Sequence, residues 1–515
     1  MFPTPALVEL IENNLTRDLR AFLPELVLVG VIVLMLFARL FTRFQRVHLV
    51  PFAMIGTAFA LLLAVRQWTG TEKGFTTFGG MLVYDSFAIY GRIFLLLFLF
   101  GSLVLSQLTG IPDREDSADY STMILGSTLG MMLMTSANHL LMAFIAIEMA
   151  SVPSYALAGF MKGRRSGSEA ALKYVVFGAS AAGVMLYGIS LITAKFGTGS
   201  LPDLVQGYAA VLQSGSFDLS LAAGTMFVLV GLGFKLSVVP FHFWCPDVFH
   251  GAAAEIGAFL SVASKGAAVL LTGRFLLALD LPATAGVGLA IFAAMTMTLG
   301  NLAAFGQTNL KRLLAYSTIA HAGYLMMALS TMRPDGISAA NFYIVAYLLM
   351  NLGAFAIVAL VRNRTGTEEI EGYQGLLIRS PILAVTLVLF FMSLLGLPPF
   401  AGFVAKLQVF LSVYDCGARY SSAGQSGIAT VYYVLLLIGA VNTVFSLAYY
   451  LRVIRVMTLE SPTESTPLKT SPMVRMFVGV LAGLLVVMGL LWNPLTRASE
   501  QATASLQTIE REANR

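Results

Sequence analysis

Charge is the scarce commodity in this chain: Asp, Glu, Lys and Arg make up only 11% of its 515 residues, against 57% hydrophobic. A soluble chain carries about a quarter charged residues. No core of ordinary domain size can absorb so large an apolar excess, which excludes a water-soluble enzyme, a disordered chain and a nucleic-acid-binding protein. Cysteine is scarcer still, with only Cys245 and Cys416, far apart and in no CxxC. That excludes an iron–sulfur cluster, a thiolate zinc site and a disulfide framework. Any redox chemistry then belongs to a partner.

What is present is a row of long apolar runs. Mostly apolar stretches of 18 or more residues read as membrane helices, and about fourteen are expected. Spans 1 to 14 lie near 21–41, 48–66, 84–107, 121–136, 138–160, 169–193, 221–250, 254–279, 283–305, 309–330, 339–362, 380–414, 428–456 and 472–493. The runs are too long for strands, and inside lipid only helices close every backbone hydrogen bond. The fold expected is an all-α polytopic membrane protein with brief connections. No signal peptide is evident, residues 5–19 read as a short amphipathic helix, and 497–515 read as a polar surface tail.

Lysine and arginine in the loops set orientation. One set of alternate loops holds sixteen: Arg39, Arg43, Arg46, Arg114, Lys162, Arg164, Arg165, Lys311, Arg312, Arg362, Arg364, Arg379, Arg452, Arg455, Lys469 and Arg475. The other holds five: Arg66, Lys73, Lys195, Arg333 and Arg419. The first set is therefore expected in the cytoplasm, with both termini outside. The net charge of +5 reports this asymmetry rather than an acidic ligand.

Two spans are not plain helices. Span 7 reads GLGFKLSVVPFHFW, with Lys235 ahead of Pro240, and span 12 reads LLGLPPFAGFVAKLQVF, with Lys406 after Pro398 and Pro399. Proline removes a donor and clashes with the preceding turn, so each should break near its middle. Broken helices in corresponding places point to inverted repeats, here spans 4–8 and 9–13.

Ionisable groups also sit deep in apolar runs: Glu148, Lys173, Lys235, Lys265 and Lys406, with His321 as a sixth. A charge at the bilayer centre costs about 2.5–3.5 kcal/mol on insertion scales. Such groups persist where they face one another, water or a broken helix end. Burial lowers a lysine pKa and a nearby carboxylate restores it, so buried lysines suit proton movement. Structural alternatives compete with each. Glu148 and Lys235 would form a static pair, Lys173 would pair with Glu169 at i+4, and His321 would be a hydrogen-bonded core histidine. Arg274 and Glu25 lie toward span ends and read as snorkelling or packing groups.

The blocks SEAALKYVVFGASAAGVMLYG, GLGFKLSVVPFHFWCPDVFHGA, FLSVASKGAA, QTNLKRLLAYSTIAHAGYLMMAL, YLLMNLGAFAIV, LGLPPFAGFVAKLQVF and VNTVFSLAYYLRVIRVM resemble the bacterial subunit N family of respiratory complex I. That complex is the proton-pumping NADH:quinone oxidoreductase. The match runs in order from about residue 80 to residue 456. The resemblance implies fourteen transmembrane helices with two inverted five-helix antiporter-like repeats. It divides the chain into residues 1–120 (spans 1–3 and a loop), 121–280 and 281–456 (the repeats), and 457–515 (loop, span 14 and tail).

Carried over by motif, Glu148 is the helix-5 glutamate and Lys235 its broken-helix partner. Lys265 is the central lysine, Lys406 faces a neighbouring antiporter-like subunit, and Lys173 is an accessory lysine. His321 is a candidate relay. The family usually continues APTPV after PDVFHG, whereas this chain reads AAAEI. That places Glu255 as a second candidate relay at the mouth of span 8, or simply facing the cytoplasm. In GFVAKLQ, against the family's GFIGKFY, Gln408 adds a polar group with no obvious partner.

The resemblance implies no cofactor in this chain, with NADH, FMN, iron–sulfur clusters and quinone in partner subunits. The partners implied are other membrane-arm subunits, large and small, in a bacterial inner membrane, with both termini periplasmic. The competing readings are a subunit of a multisubunit Na+/H+ antiporter and a structural scaffold.

Overall fold

The structure is a computed structural model describing residues 14–41, 48–70, 74–113, 116–161, 163–214, 218–279, 281–462 and 466–513, with side chains to residue 506. Arg43, Arg46, Lys73, Arg114 and Lys162, and residues 5–13 of the amphipathic segment, lie outside the described residues.

Every apolar run is helical. Among the described residues, eleven helices are long and apolar enough to cross a membrane. They are Leu23–Leu40, Val50–Gly70, Ser86–Thr109, Leu140–Ala158, Arg165–Phe196, Leu219–Leu236, Ala254–Ala278, Ala283–Phe305, Pro334–Thr365, Ser426–Leu459 and Pro472–Leu490. The other expected spans are helices too, but shorter, broken or more polar. Span 4 is Ser117–Ser136, and span 10 is Leu310–Leu329, which carries Lys311 and Arg312 in its first turn. Span 12 is two helices, Pro381–Leu395 and Ala401–Ser422, and span 7 likewise continues in Trp244–Gly251.

Burial sorts these helices into layers. An 18-residue stretch of span 8 is buried along its whole length, and span 11 nearly so. Spans 1, 2, 13 and 14 present most of their surface outward, through residues such as Leu34, Ile55, Leu437 and Leu484. In lipid, apolar exteriors are no liability, and helix association rests on close packing at small residues. Gly130 shows this: an added Cβ would meet the backbone of Ala150, and Gly300 stands in the same relation to Ala320.

That correspondence recurs. The N–H of Leu140 donates to the carbonyl of Gly199 (2.8 Å) and that of Leu201 to Asn138 (3.0 Å). Later in the chain, Leu310 donates to Glu368 (2.9 Å) and Ile370 to Thr308 (2.8 Å). Helices Arg165–Phe196 and Pro334–Thr365, each 32 residues long, are connected within these two matching frames.

Loop contacts run within the two alternate sets. In the arginine-rich set, Arg39 pairs with Asp119, Asn363 donates to the carbonyl of Thr109 (2.8 Å), and Lys311 meets Glu368 (2.8 Å). In the other set, the N–H of Phe78 donates to Asp18 (2.8 Å), Asn138 to Gly80 (3.2 Å) and Tyr432 to Ser330 (2.8 Å). Between spans 2 and 3 stands a short hairpin of β1 (Phe75–Thr77) and β2 (Leu82–Tyr84).

Two expectations are corrected. The connection between spans 6 and 7 contains a helix, Leu201–Gln213. The polar tail is no loose tail: Asn493–Ala513 is a helix packed on spans 3 and 11. Ser499, Ala502, Thr503 and Leu506 are its buried stripe, spaced for one helix face. Tyr90 meets Ser499 (3.2 Å) and Asn341 donates to Thr503 (3.1 Å). A stripe of small and hydroxyl residues carries little hydropathy, which hides it in the sequence.

Candidate functional site

Both broken helices end their first half in a left-handed residue. In span 7 this is Ser237 (φ 59°), and in span 12 it is Gly396 (φ 87°). A left-handed conformation is strained for any residue but glycine, by roughly 1–3 kcal/mol. Serine accepts that strain at the span 7 break and presents a hydroxyl, to which Lys265 Nζ donates at 2.9 Å. Glycine at the span 12 break has no side chain. There the stem of Lys406 packs against Gly396, and Lys406 Nζ donates to the carbonyl of Leu395 (2.8 Å), which ends the first half-helix. Each break therefore holds one lysine, by a hydroxyl in one case and a backbone carbonyl in the other.

Lys265 opens the last segment of span 8, directly after a π-helical stretch, Leu260–Ser264. Such wide turns loosen the hydrogen-bond ladder and recur at functional positions. The ammonium also lies over the rings of Trp244 (5.5 Å) and Phe249 (5.8 Å). Lys406 lies over Tyr324 at 4.7 Å. Lys235, in the last turn before the span 7 break, has no hydrogen-bond partner for Nζ. Glu148, on span 5, is half-buried, and its charge acts on Lys235 although no salt bridge joins the two among the described residues. The three lysines are 2%, 1% and 4% exposed for Lys235, Lys265 and Lys406. Among the described residues none makes a salt bridge to a carboxylate.

Lys173 is different. Its side chain is 38% exposed and bonded to Glu169 (2.8 Å) and Asp247 (2.7 Å), and Asp247 also meets Arg312 (3.2 Å). His321 is buried in span 10, with Nδ1 2.7 Å from the hydroxyl of Tyr343. It adjoins a hydroxyl network in which Tyr347 donates to Thr318 (2.9 Å) and Asn351 to Tyr347 (2.8 Å). Glu255 does not face solvent: it is 2% exposed and paired with Arg362 at 3.1 Å. Gln408 donates to Thr496 of the C-terminal helix (2.7 Å), the partner the sequence did not suggest.

Arg274 and Glu25 are not snorkelling groups. Arg274 makes a two-pronged bridge to the buried carboxylate of Asp85 (2.8 and 3.0 Å) and donates to the carbonyl of Thr135. Glu25 pairs with Arg92 at 2.6 Å, and both are buried. Hydropathy places such charges without showing that their partners lie on distant spans. Asp85, Arg92, Lys311 and Glu368 go unnoticed in the sequence as site residues for that reason. Outside the spans, the hydrogen bond from Lys195 (2.6 Å contact) holds the carboxyl of Asp218 well below the usual carboxylate range. Asp218 also caps the helix that carries Lys235. At the start of span 5 the N–H of Leu141 donates to Nδ1 of His139 (3.1 Å).

Comparison with known proteins bears on the whole chain. Residues 137–431 match the family described as NADH:quinone oxidoreductase/Mrp antiporter, TM. The NADH-quinone oxidoreductase subunit N of Anaeromyxobacter sp. (strain Fw109-5) is 40% identical over 525 aligned positions, covering 97% of this chain and 98% of that one. A chain of respiratory complex I from Thermus thermophilus with bound aureothin superposes with a TM-score of 0.74 at 30% identity, covering 92% of this chain and 98% of that one. A chain of the Mrp complex from Dietzia sp. DQ12-45-1b is alike in fold alone, with a TM-score of 0.80 at 20% identity over 94% of this chain and 97% of that one.

Proposed function

Because the chain belongs to the subunit N family of NADH-quinone oxidoreductase, the antiporter-like membrane-arm subunits of complex I, we propose that it carries protons through its buried Glu148, Lys235, Lys265 and Lys406. One observation carries the reading: three lysines, enclosed by protein and with no salt bridge to a carboxylate among the described residues, lie at the breaks of two spans. A charge there is expensive, and an opposite charge close by would fix it. Lys265 has a hydroxyl, Lys406 a carbonyl and Lys235 no hydrogen-bond partner, so each gains or loses its proton when a neighbouring charge changes.

The scale is adequate. Moving one charge through the membrane potential is worth about 2.3 kcal/mol per 100 mV, comparable to one or two pKa units at about 1.36 kcal/mol each. The row runs from Glu148 through Lys235 and Lys265 to Lys406, with His321 as a relay between the last two and Lys173 as an accessory group at the surface. The chain crosses a bacterial inner membrane fourteen times as two inverted repeats, over 121–280 and 281–456, between segments 1–120 and 457–515. The matching hydrogen-bond frames of Leu140 and Leu310 support the repeats. The arginine-rich loops face the cytoplasm and both termini the periplasm. NADH, FMN, iron–sulfur clusters and quinone belong to partner subunits, and Lys406 faces a neighbouring antiporter-like subunit.

The test is NADH-driven proton uptake by the purified complex in vesicles carrying Glu148→Gln. Uptake slowed roughly tenfold, with every subunit still copurifying, is the expected result. Unchanged uptake makes Glu148 a structural group. Sodium-driven proton exchange without NADH, in place of pumping, would establish the antiporter instead.

A further inference from the structure

Glu255, Arg362, Glu368 and Lys311 form a second cluster of buried charge, at the opposite end of span 8 from Arg274. Glu255 opens the helix Ala254–Phe259, ten residues before Lys265, a rise of about 15 Å. Resting on the proton-carrying role of Lys265, we propose that Glu255 is the carboxylate that loads protons onto Lys265 from the arginine-rich side, with Arg362 as the latch that holds it closed.

Three observations point there. The first is how loosely Glu255 is held. Its contacts to Arg362 are 3.1 and 3.5 Å, longer than the 2.8 and 3.0 Å of the Arg274–Asp85 bridge. Arg362 already shares its donors with Asn363 (2.9 Å) and lies 4.0 Å from Glu368. A second carboxylate thus stands ready to take the guanidinium when Glu255 is protonated.

The second is register. An added Cβ at Gly257 would meet Phe355, and one at Gly273 would meet Ile337. Spans 8 and 11 therefore run antiparallel, with Tyr347 level with Lys265, and the side chain of Arg362 reaches back to Glu255 from further along span 11. Asn351 falls between the two levels. The third is a set of buried polar atoms along that stretch with no hydrogen-bond partner, Asn351 Oδ1 on span 11 and Ser264 Oγ on span 8. Buried polar groups left over by the protein are where ordered water binds, and the π-helical turn at Leu260–Ser264 adds loosened backbone beside them.

The other charged or titratable groups around Glu255 are accounted for. Lys311 of span 10 is occupied by Glu368 (2.8 Å) and the carbonyl of Ala252 (2.7 Å). Asp247 is held by Lys173 and Arg312, His250 faces outward, and Tyr120 of span 4 is bonded to Ser106 (2.5 Å). One proton moves in two transfers. A hydronium ion from the arginine-rich side gives its proton to Glu255, leaving water and forming an O–H bond on the carboxylate, as Arg362 turns to Glu368. The O–H then breaks, and its proton passes along water held by Asn351 and Ser264 to the neutral amine of Lys265. Glu255, again a carboxylate, recaptures Arg362.

The experiment is NADH-driven proton uptake by the whole complex in vesicles, comparing Glu255→Gln, the double variant Glu255→Gln/Arg362→Gln, and Lys265→Met. Glu255→Gln is expected to slow uptake roughly tenfold, and the double variant to be as slow although its charges are balanced. A merely structural pair predicts that the double variant recovers. Recovery to the unaltered rate, or a Glu255→Gln complex within about twofold of it, overturns the proposal. If Glu255→Gln alone fails to assemble, the double variant decides. Lys265→Met separates the two ideas: if it too leaves uptake unchanged, the proton-carrying row fails, and not the latch alone.

Discussion

Lys265 and Arg274 lie nine residues apart on one buried helix and hold their charges in opposite ways. Arg274 is locked by both oxygens of Asp85 and by the carbonyl of Thr135. Lys265 has one serine hydroxyl and two aromatic faces. A guanidinium stays protonated under any physiological condition and its planar fork matches a carboxylate, whereas an ammonium changes its pKa readily on burial. The same contrast separates Arg92 with Glu25 from Lys235, whose Nζ has no partner. Paired arginines fasten spans 1 to 3, 4 and 8 together, whereas the lysines make no salt bridge to a carboxylate among the described residues.

The comparison breaks most visibly on the paired side. Asp85→Ala leaves a buried guanidinium without its counter-charge, at a cost of about 3–5 kcal/mol. The complex should lose this subunit on gentle solubilisation, read by subunit composition and thermal unfolding. Intact assembly would mean that the bridge is no fastening. On the unpaired side the stability effect should be smaller. Ser237→Ala keeps the left-handed strain but removes the acceptor of Lys265, costing about 1 kcal/mol. Assembly should survive while proton uptake slows, and a variant with unaltered uptake would show that the hydroxyl plays no part in holding Lys265.

Much of this was legible in the sequence because lipid imposes strict rules. Length and hydropathy mark the spans, and Pro240, Pro398 and Pro399 mark the two breaks, which occur over 237–243 and 396–400. Isolated charges in apolar runs mark Lys235, Lys265 and Lys406. What hydropathy cannot carry is pairing between distant segments. Arg274 and Asp85 are 189 residues apart, and Arg362 and Glu255 are 107 apart. Loop arginine and lysine counts also treat Lys311 and Arg362 as exposed, although both are buried once neighbouring loops fold over them. The C-terminal helix escaped for a different reason, because its buried stripe is built largely of serine, threonine and alanine. The left-handed Ser237 leaves no trace in residue type, since a glycine would be the ordinary choice there.

The central claim is that buried lysines without salt bridges to carboxylates carry the protons. Its most direct test is NADH-driven proton uptake and quinone reduction measured together in the assembled complex with Lys235→Ala. Both should fall, with the full set of subunits retained, because electron transfer in a coupled pump cannot outrun a blocked proton route. Full pumping at the unaltered rate with alanine at that position would remove Lys235 from the route and contradict the account.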